Sequence, residues 1–223
     1  MSSKRVAIVD YGLVNLFSVQ AACGAAGMEG FVTSDRAAIA AADAVVLPGM
    51  GAFGDAMDAL RRLDLVAPIL DVAAAGTPLF GVCLGLQLLM TESFEFGRHR
   101  GLGLIEGTVE PLREGVEDGR RLKVPHIGWN QLQPPGDVAA WAGSPLGALP
   151  AGAYMYFVHS FYVTPVDPAC VLSVTRYGET RFCSSLRSGN IFACQFHPER
   201  SGPAGLSLYR WLSSALGAAG DES

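Results

Sequence analysis

The sequence predicts an α/β fold. It should be a three-layer sandwich whose mixed, mainly parallel central sheet carries helices on both faces and additional antiparallel strands. Two observations predict it. In the first half, runs that are apolar along their whole length, ADAVVLP (42–48) and PLFGV (78–82), alternate with stretches of helical character. Strands of that kind belong to a sheet covered on both sides. In the second half, glycine, proline and β-branched residues punctuate short extended runs, as in strands and hairpins.

The elements follow in order. RVAIVD (5–10) is a first strand, followed by helix to about Ala26. Residues 31–33 are a short strand and 42–48 a clear one. The Ala/Leu-rich segment 53–75 is helical, 78–82 is a buried strand, and LGLQLLMTESF (84–94) is helical. From Gly101 the extended runs are GLGLIEGTVEPL, KVPHIGWNQL, AYMYFVHSFYV, CVLSVTRYG and NIFACQF, some of them extending the main sheet. In GPAGLSLYRWLSSAL, Leu206, Tyr209, Leu212 and Leu216 recur at helical spacing and should pack on the sheet. No repeat or linker divides the chain, so one domain over residues 1–223 is expected, with a frayed tail from about 217.

Composition narrows the function. Half of the 223 residues are hydrophobic and 17% are charged, enough for a large core. A net charge of −5 leaves no electrostatic footprint for nucleic acid or an anionic membrane. The start, MSSKRVAIVDYG, lacks the pattern of a secretory signal. Five scattered cysteines without a C-x-x-C suit reduced thiols in a cytoplasm rather than a disulfide framework. Cys194 and His197 form only a C-x-x-H, too sparse for zinc, so neither metal nor cofactor is expected.

One stretch carries chemistry. G-V-C-L-G (81–85) lies where a strand turns into a helix and has the form of a nucleophile elbow with cysteine in place of serine. The start of the following helix directs amide N–H groups at the sulfur and favours thiolate. The Leu84 amide would stabilise an oxyanion.

A thiolate needs a proton manager, and His197 closes a strand-like run and opens His-Pro-Glu. Residues two apart in extended backbone share a face, so Glu199 can orient the imidazole. Nucleophile, base and orienter are then all present. PGMGAFGDAM (48–57) is glycine-rich at the end of another strand, at the same carboxyl edge of the sheet. Its backbone around Gly51 is the candidate second oxyanion donor, and it lacks the phosphate-loop pattern.

GVCLGLQLL, PGMGAFG and QFHPE resemble the class I (triad) glutamine amidotransferases, whose fold is a flavodoxin-like three-layer sandwich. VDYGLVNLFSV, PHIGWNQL, YFVHSFYV and CQFHPERSG resemble, more narrowly, the glutaminase subunits of imidazole glycerol phosphate synthases of histidine biosynthesis. The matches run from residue 6 to about 205. The resemblance implies Cys83 as nucleophile, His197 as acid/base and Glu199 as its partner. It implies Gln87, one turn after Cys83, and Glu95, in ESFEFG, as contacts for substrate L-glutamine. The segment around Ser160 and Phe161 would reach the substrate through its backbone, with His159 in a structural role.

It also implies a heterodimer with a (β/α)8-barrel cyclase that receives ammonia away from bulk water, with Asn15, Trp129, Tyr156 and Arg200 at the interface. Val14 stands where the family usually has glycine, Met50 where PGVG is common, and Arg200 where lysine is frequent. The P-G-M-G strand is a natural place for regulation, if ligand binding on the partner turns its N–H inward. The alternatives are the glutaminase subunits of anthranilate, aminodeoxychorismate or pyridoxal phosphate synthesis, a cysteine hydrolase of similar fold, or a catalytically idle binding module.

Overall fold

Strands form where the apolar runs stand. The computed structural model describes residues 3–12, 16–117, 120–136 and 141–218. The first half comprises β1 (Arg5–Val9), α1 (Leu16–Ala25), β2 (Glu29–Thr33), α2 (Arg36–Ala40), β3 (Ala44–Leu47), α3 (Phe53–Arg62), α4 (Val66–Ala74), β4 (Leu79–Val82) and α5 (Leu84–Leu88). Next come β5 (Met90–Ser93), β6 (His99–Arg100), β7 (Ile105–Pro111), β8 (Gly115–Glu117), β9 (Arg120–Leu122) and β10 (His126–Gln131). The remainder is β11 (Tyr154–His159), β12 (Phe161–Pro165), β13 (Val171–Tyr177), β14 (Thr180–Ser188), β15 (Ile191–Cys194) and α6 (Gly202–Ala218).

The core of the sheet is parallel, in the order β2-β1-β3-β4-β15. Beyond β15 it continues antiparallel through β14, β12 and β7, with β5 parallel to β7 and β6 at the edge. β13 also pairs with β14, while β10–β11 and β8–β9 form separate antiparallel pairs.

Alternation along β1 divides the two faces. Ala7 and Val9 pack with Ile39, Phe53, Leu60 and Ile69 of α2, α3 and α4. Val6 and Ile8 pack with Val19 and Cys23 of α1 and with Leu208, Tyr209 and Leu212 of α6. Helices thus cover both faces, the three-layer arrangement expected of apolar parallel strands. No helix among the described residues is long and apolar enough to cross a membrane.

Several elements differ from expectation. The helix predicted over 84–94 stops at Leu88, and Met90–Ser93 is a strand. Chain that follows takes the acceptors at the helix end. Leu102 N–H bonds Leu88 O at 2.8 Å and Ile105 N–H bonds Leu89 O at 3.0 Å, which ends the helix and leaves β5 to pair with β7. The segment 53–75 is two helices. Asp64 at φ 54° and the Leu65 N–H bond to Leu60 O (2.9 Å) close α3 in the left-handed manner usual at helix ends. α2 and β14 were not foreseen.

Candidate active site

β4 lies between β3 and β15, and its ladder continues one residue further, where Cys83 N–H bonds Cys194 O at 2.8 Å. The chain then turns sharply, with Cys83 at φ 54°, ψ −109°. A side-chain-bearing residue adopts this backbone only under strain held by its surroundings. α5 begins at the next residue, so the Leu84 N–H has no intrahelical acceptor. Gly85 makes the turn possible, because a Cβ there would lie 1.8 Å from Leu47 O at the end of β3.

β15 runs parallel to β4 and delivers His197 to the same edge of the sheet. The His197 imidazole Nδ1 and Glu199 Oε1 are 2.8 Å apart, with both side chains almost wholly buried. The pairing arises differently from the alternation predicted. His197 is extended, but Pro198–Arg200 forms a single 3₁₀ turn that swings the Glu199 carboxylate back to the ring. Burial by itself would lower the His197 pKa. The Cys83 sulfur, once ionised, and the Glu199 carboxylate outweigh it and raise the value, so the imidazole can take the thiol proton and keep it. His197 Nε2 has no hydrogen-bond partner among the described residues, and the Cys83 thiol instead donates to Val158 O at 3.7 Å.

Cys83 and His197 open into one cavity of about 290 Å³. Gly51, Leu84, Gln87 and Glu95 line it, as do Ser160 and Phe161. Those eight residues come from segments far apart in the chain, and sequence reasoning named every one. Gly51 is at φ +93° in the exposed turn after β3. A separate apolar cavity of about 190 Å³ lies at the amino ends of β4 and β15, away from Cys83.

Glu95 is not on a helix, where its polarity would have been ordinary, but buried just past β5. Its Oε2 accepts the Phe53 N–H at 2.5 Å, capping α3 directly after the glycine-rich turn. Burial raises its pKa, and the Phe53 N–H and His99 pull against that rise. Among the described residues its Oε1 accepts no hydrogen bond.

Residues 26–210 match the family model of the class-I glutamine amidotransferases. The chain belongs to that family. As a class I glutamine amidotransferase it is a glutamine-hydrolysing enzyme of the Cys-His-Glu type. Among its relatives is the imidazole glycerol phosphate synthase subunit HisH of Rhodopirellula baltica, 46% identical over 94% of this chain and 97% of that protein. The subunit of the same name from Moorella thermoacetica is 44% identical over 98% of each chain. Among solved structures, the glutaminase domain of Trypanosoma brucei CTPS with bound acivicin superposes with TM-score 0.66 at 17% identity. That match covers 97% of this chain and 94% of the other, and it speaks to fold alone.

Sequence reasoning missed Pro125 and Val158, which also line the cavity, and a further member of this amidotransferase site. Gln195 is wholly buried, and its Nε2 lies 3.7 Å from the Cys83 sulfur. Its place beside the named triad, in CQFHPE, was the only available signal. It also missed that His159 bonds His126, with Nε2 and Nδ1 3.0 Å apart.

The residues expected at a partner interface also gather. Trp129 and Tyr156 stand opposite each other on β10 and β11, ring centroids 6.1 Å apart at 70°. The Arg200 guanidinium sits 4.7 Å from the Tyr156 ring centroid. Trp129 is 55% exposed, a large apolar side chain left open. Asn15 and Val14 lie outside the described residues.

Proposed function

We propose that this class I amidotransferase is the glutaminase subunit of an imidazole glycerol phosphate synthase, hydrolysing L-glutamine and passing the ammonia to a cyclase subunit. The observation that carries the chemistry is the convergence of Cys83, His197, Gly51, Gln87 and Glu95 on one cavity. The choice of synthase is supported by the HisH relatives at 44–46% identity over nearly the whole chain. The exposed Trp129–Tyr156–Arg200 cluster supports a partner-facing surface.

In this reading the free Glu95 oxygen takes the α-ammonium of glutamine and Gln87 contacts the rest of the amino acid. The Cys83 proton passes to His197, and the thiolate attacks the side-chain amide carbon. The resulting oxyanion accepts N–H groups from Leu84 and from the Gly51 turn, each such donor being worth about 3 kcal/mol of barrier. His197 protonates the leaving nitrogen, and ammonia departs. The imidazole then takes a proton from water, which attacks the thioester; glutamate leaves and the thiolate and imidazolium are restored.

The deciding experiment is glutamate release from glutamine by the chain alone and with the cyclase subunit and its ligand, with Cys83→Ala as control. Activity that rises with the liganded cyclase and vanishes in Cys83→Ala supports the reading. Activity indifferent to that cyclase points to the anthranilate, aminodeoxychorismate or pyridoxal phosphate alternatives. A chain inactive in every mixture is an idle binding module.

A further inference from the structure

A set of mostly buried polar side chains, joined through the Phe161 carbonyl, leads to the Cys83 sulfur, and the triad chemistry does not use it. Phe161 O is solely an acceptor, so the Gln87 atom 3.1 Å from it is the amide nitrogen. The same nitrogen lies 3.1 Å from Gln195, which must therefore present its oxygen to Gln87. The Gln195 nitrogen is then left facing Cys83 Sγ at 3.7 Å. Each amide orientation follows from the one before it.

The far side of the Phe161 carbonyl is fixed in the same way. His159 Nδ1 lies 2.9 Å from Phe161 O and must carry the hydrogen, so His159 Nε2 accepts from His126 Nδ1. His126 Nε2 then accepts from Asn130 Nδ2 at 3.3 Å, and that nitrogen also donates to Arg176 O at 2.9 Å. Burial holds both rings neutral, as the directions require. The chain thus starts beside Trp129 on β10 and ends at the sulfur.

Resting on the assignment of Cys83 as nucleophile, we propose that Gln195 is a further catalytic residue. Its side-chain amide donates to the Cys83 sulfur, in an orientation imposed by Gln87 and the Phe161 carbonyl. When the thiol proton passes to His197, the contact with Val158 O has no hydrogen left, and Gln195 keeps a donor on the anionic sulfur. A hydrogen bond to a charged acceptor is stronger than one to a neutral group, so the donor favours the reactive form.

The test is the rate of iodoacetamide alkylation of Cys83, followed by peptide mass spectrometry on the full chain across pH, with circular dichroism as the check on folding. In the original chain Cys83 should alkylate ahead of the four other buried cysteines; if it does not, the active-site assignment itself falls. Gln195→Met keeps the volume and removes the donor, and should slow Cys83 alkylation at neutral pH about tenfold. In glutamine hydrolysis it should lower kcat with KM nearly unchanged, because Gln195 meets the sulfur and not the substrate. In Gln195→Glu the deficit should deepen as pH rises, since an ionised carboxylate has no proton to give the sulfur. Either variant, folded and alkylating Cys83 at the original rate throughout, overturns the proposal.

Discussion

His197 donates its backbone N–H to the carbonyl of Tyr156 at 2.8 Å, so the imidazole-bearing residue is bonded to the centre of the exposed aromatic cluster. Ser201 doubles the tie. Its Oγ accepts the Tyr156 N–H at 2.9 Å and donates to His197 O at 2.6 Å. A cyclase subunit docked on Trp129, Tyr156 and Arg200, as proposed above, would therefore act on strands that position the base. Trp129→Ala should weaken binding of the cyclase subunit by about 2 kcal/mol or more, as central aromatic anchors do. Calorimetric titration measures it, and the thermal midpoint of the free chain should stay unchanged because the ring is exposed.

Glu199→Gln keeps an oxygen for His197 Nδ1 and removes the charge. The support that holds the imidazole protonated is then reduced. Steady-state kinetics should show kcat lower by about 10²–10⁴, the usual range for acid–base function. Near-ultraviolet dichroism should report intact packing.

Glu95→Gln separates the two tasks of that carboxylate. An amide oxygen still caps the Phe53 N–H, so α3 and the turn before it should persist. The charge opposite the substrate ammonium is lost, and KM for glutamine should rise about tenfold or more with a smaller change in kcat. An unchanged KM would remove Glu95 from the substrate contacts.

The two glycines of the site should respond differently to alanine. At Gly85 a Cβ meets the Leu47 carbonyl at 1.8 Å, so Gly85→Ala should cost about 3 kcal/mol or more in denaturant unfolding. At Gly51 the space is open and only φ +93° resists. Gly51→Ala should cost about 1–2 kcal/mol, fold normally and lose activity.

The buried histidines set an acid limit. Burial lowers His126 to about 4 and His159 to about 3, against about 6.5 in the unfolded chain. Below pH 6.5 the unfolded state binds the extra protons, so the stabilisation present above that pH is lost on acidification. At pH 5 each ring should cost about 2 kcal/mol. His197 is raised, so its contribution is complete below 6.5 and is lost only at alkaline pH. Urea unfolding from pH 7.5 to 5 should show the decline, and His126→Gln with His159→Gln should flatten it.

Local chemistry makes the triad legible in the sequence. The Cys83 turn depends on its neighbours in the chain, and His197 and Glu199 meet within a single turn. Their roles are carried by stretches of five residues or fewer. The parallel strands are legible because burial on both faces leaves only apolar residues. Glu95 follows directly on an expected helix because 84–94 reads as one, whereas the pairing of β5 with β7 overrides that local preference.

By itself, then, the sequence determined which cysteine, histidine and carboxylate are the candidates for nucleophile, base and orienter, and the apolar sheet that presents them. Only the tertiary structure decided which polar groups surround the sulfur. Gln87 and Gln195 are 108 residues apart, and Gln195 and Cys83 are 112 apart. No periodicity links such positions. They meet because β15 inserts beside β4, and a buried amide must then find a partner wherever the fold supplies one.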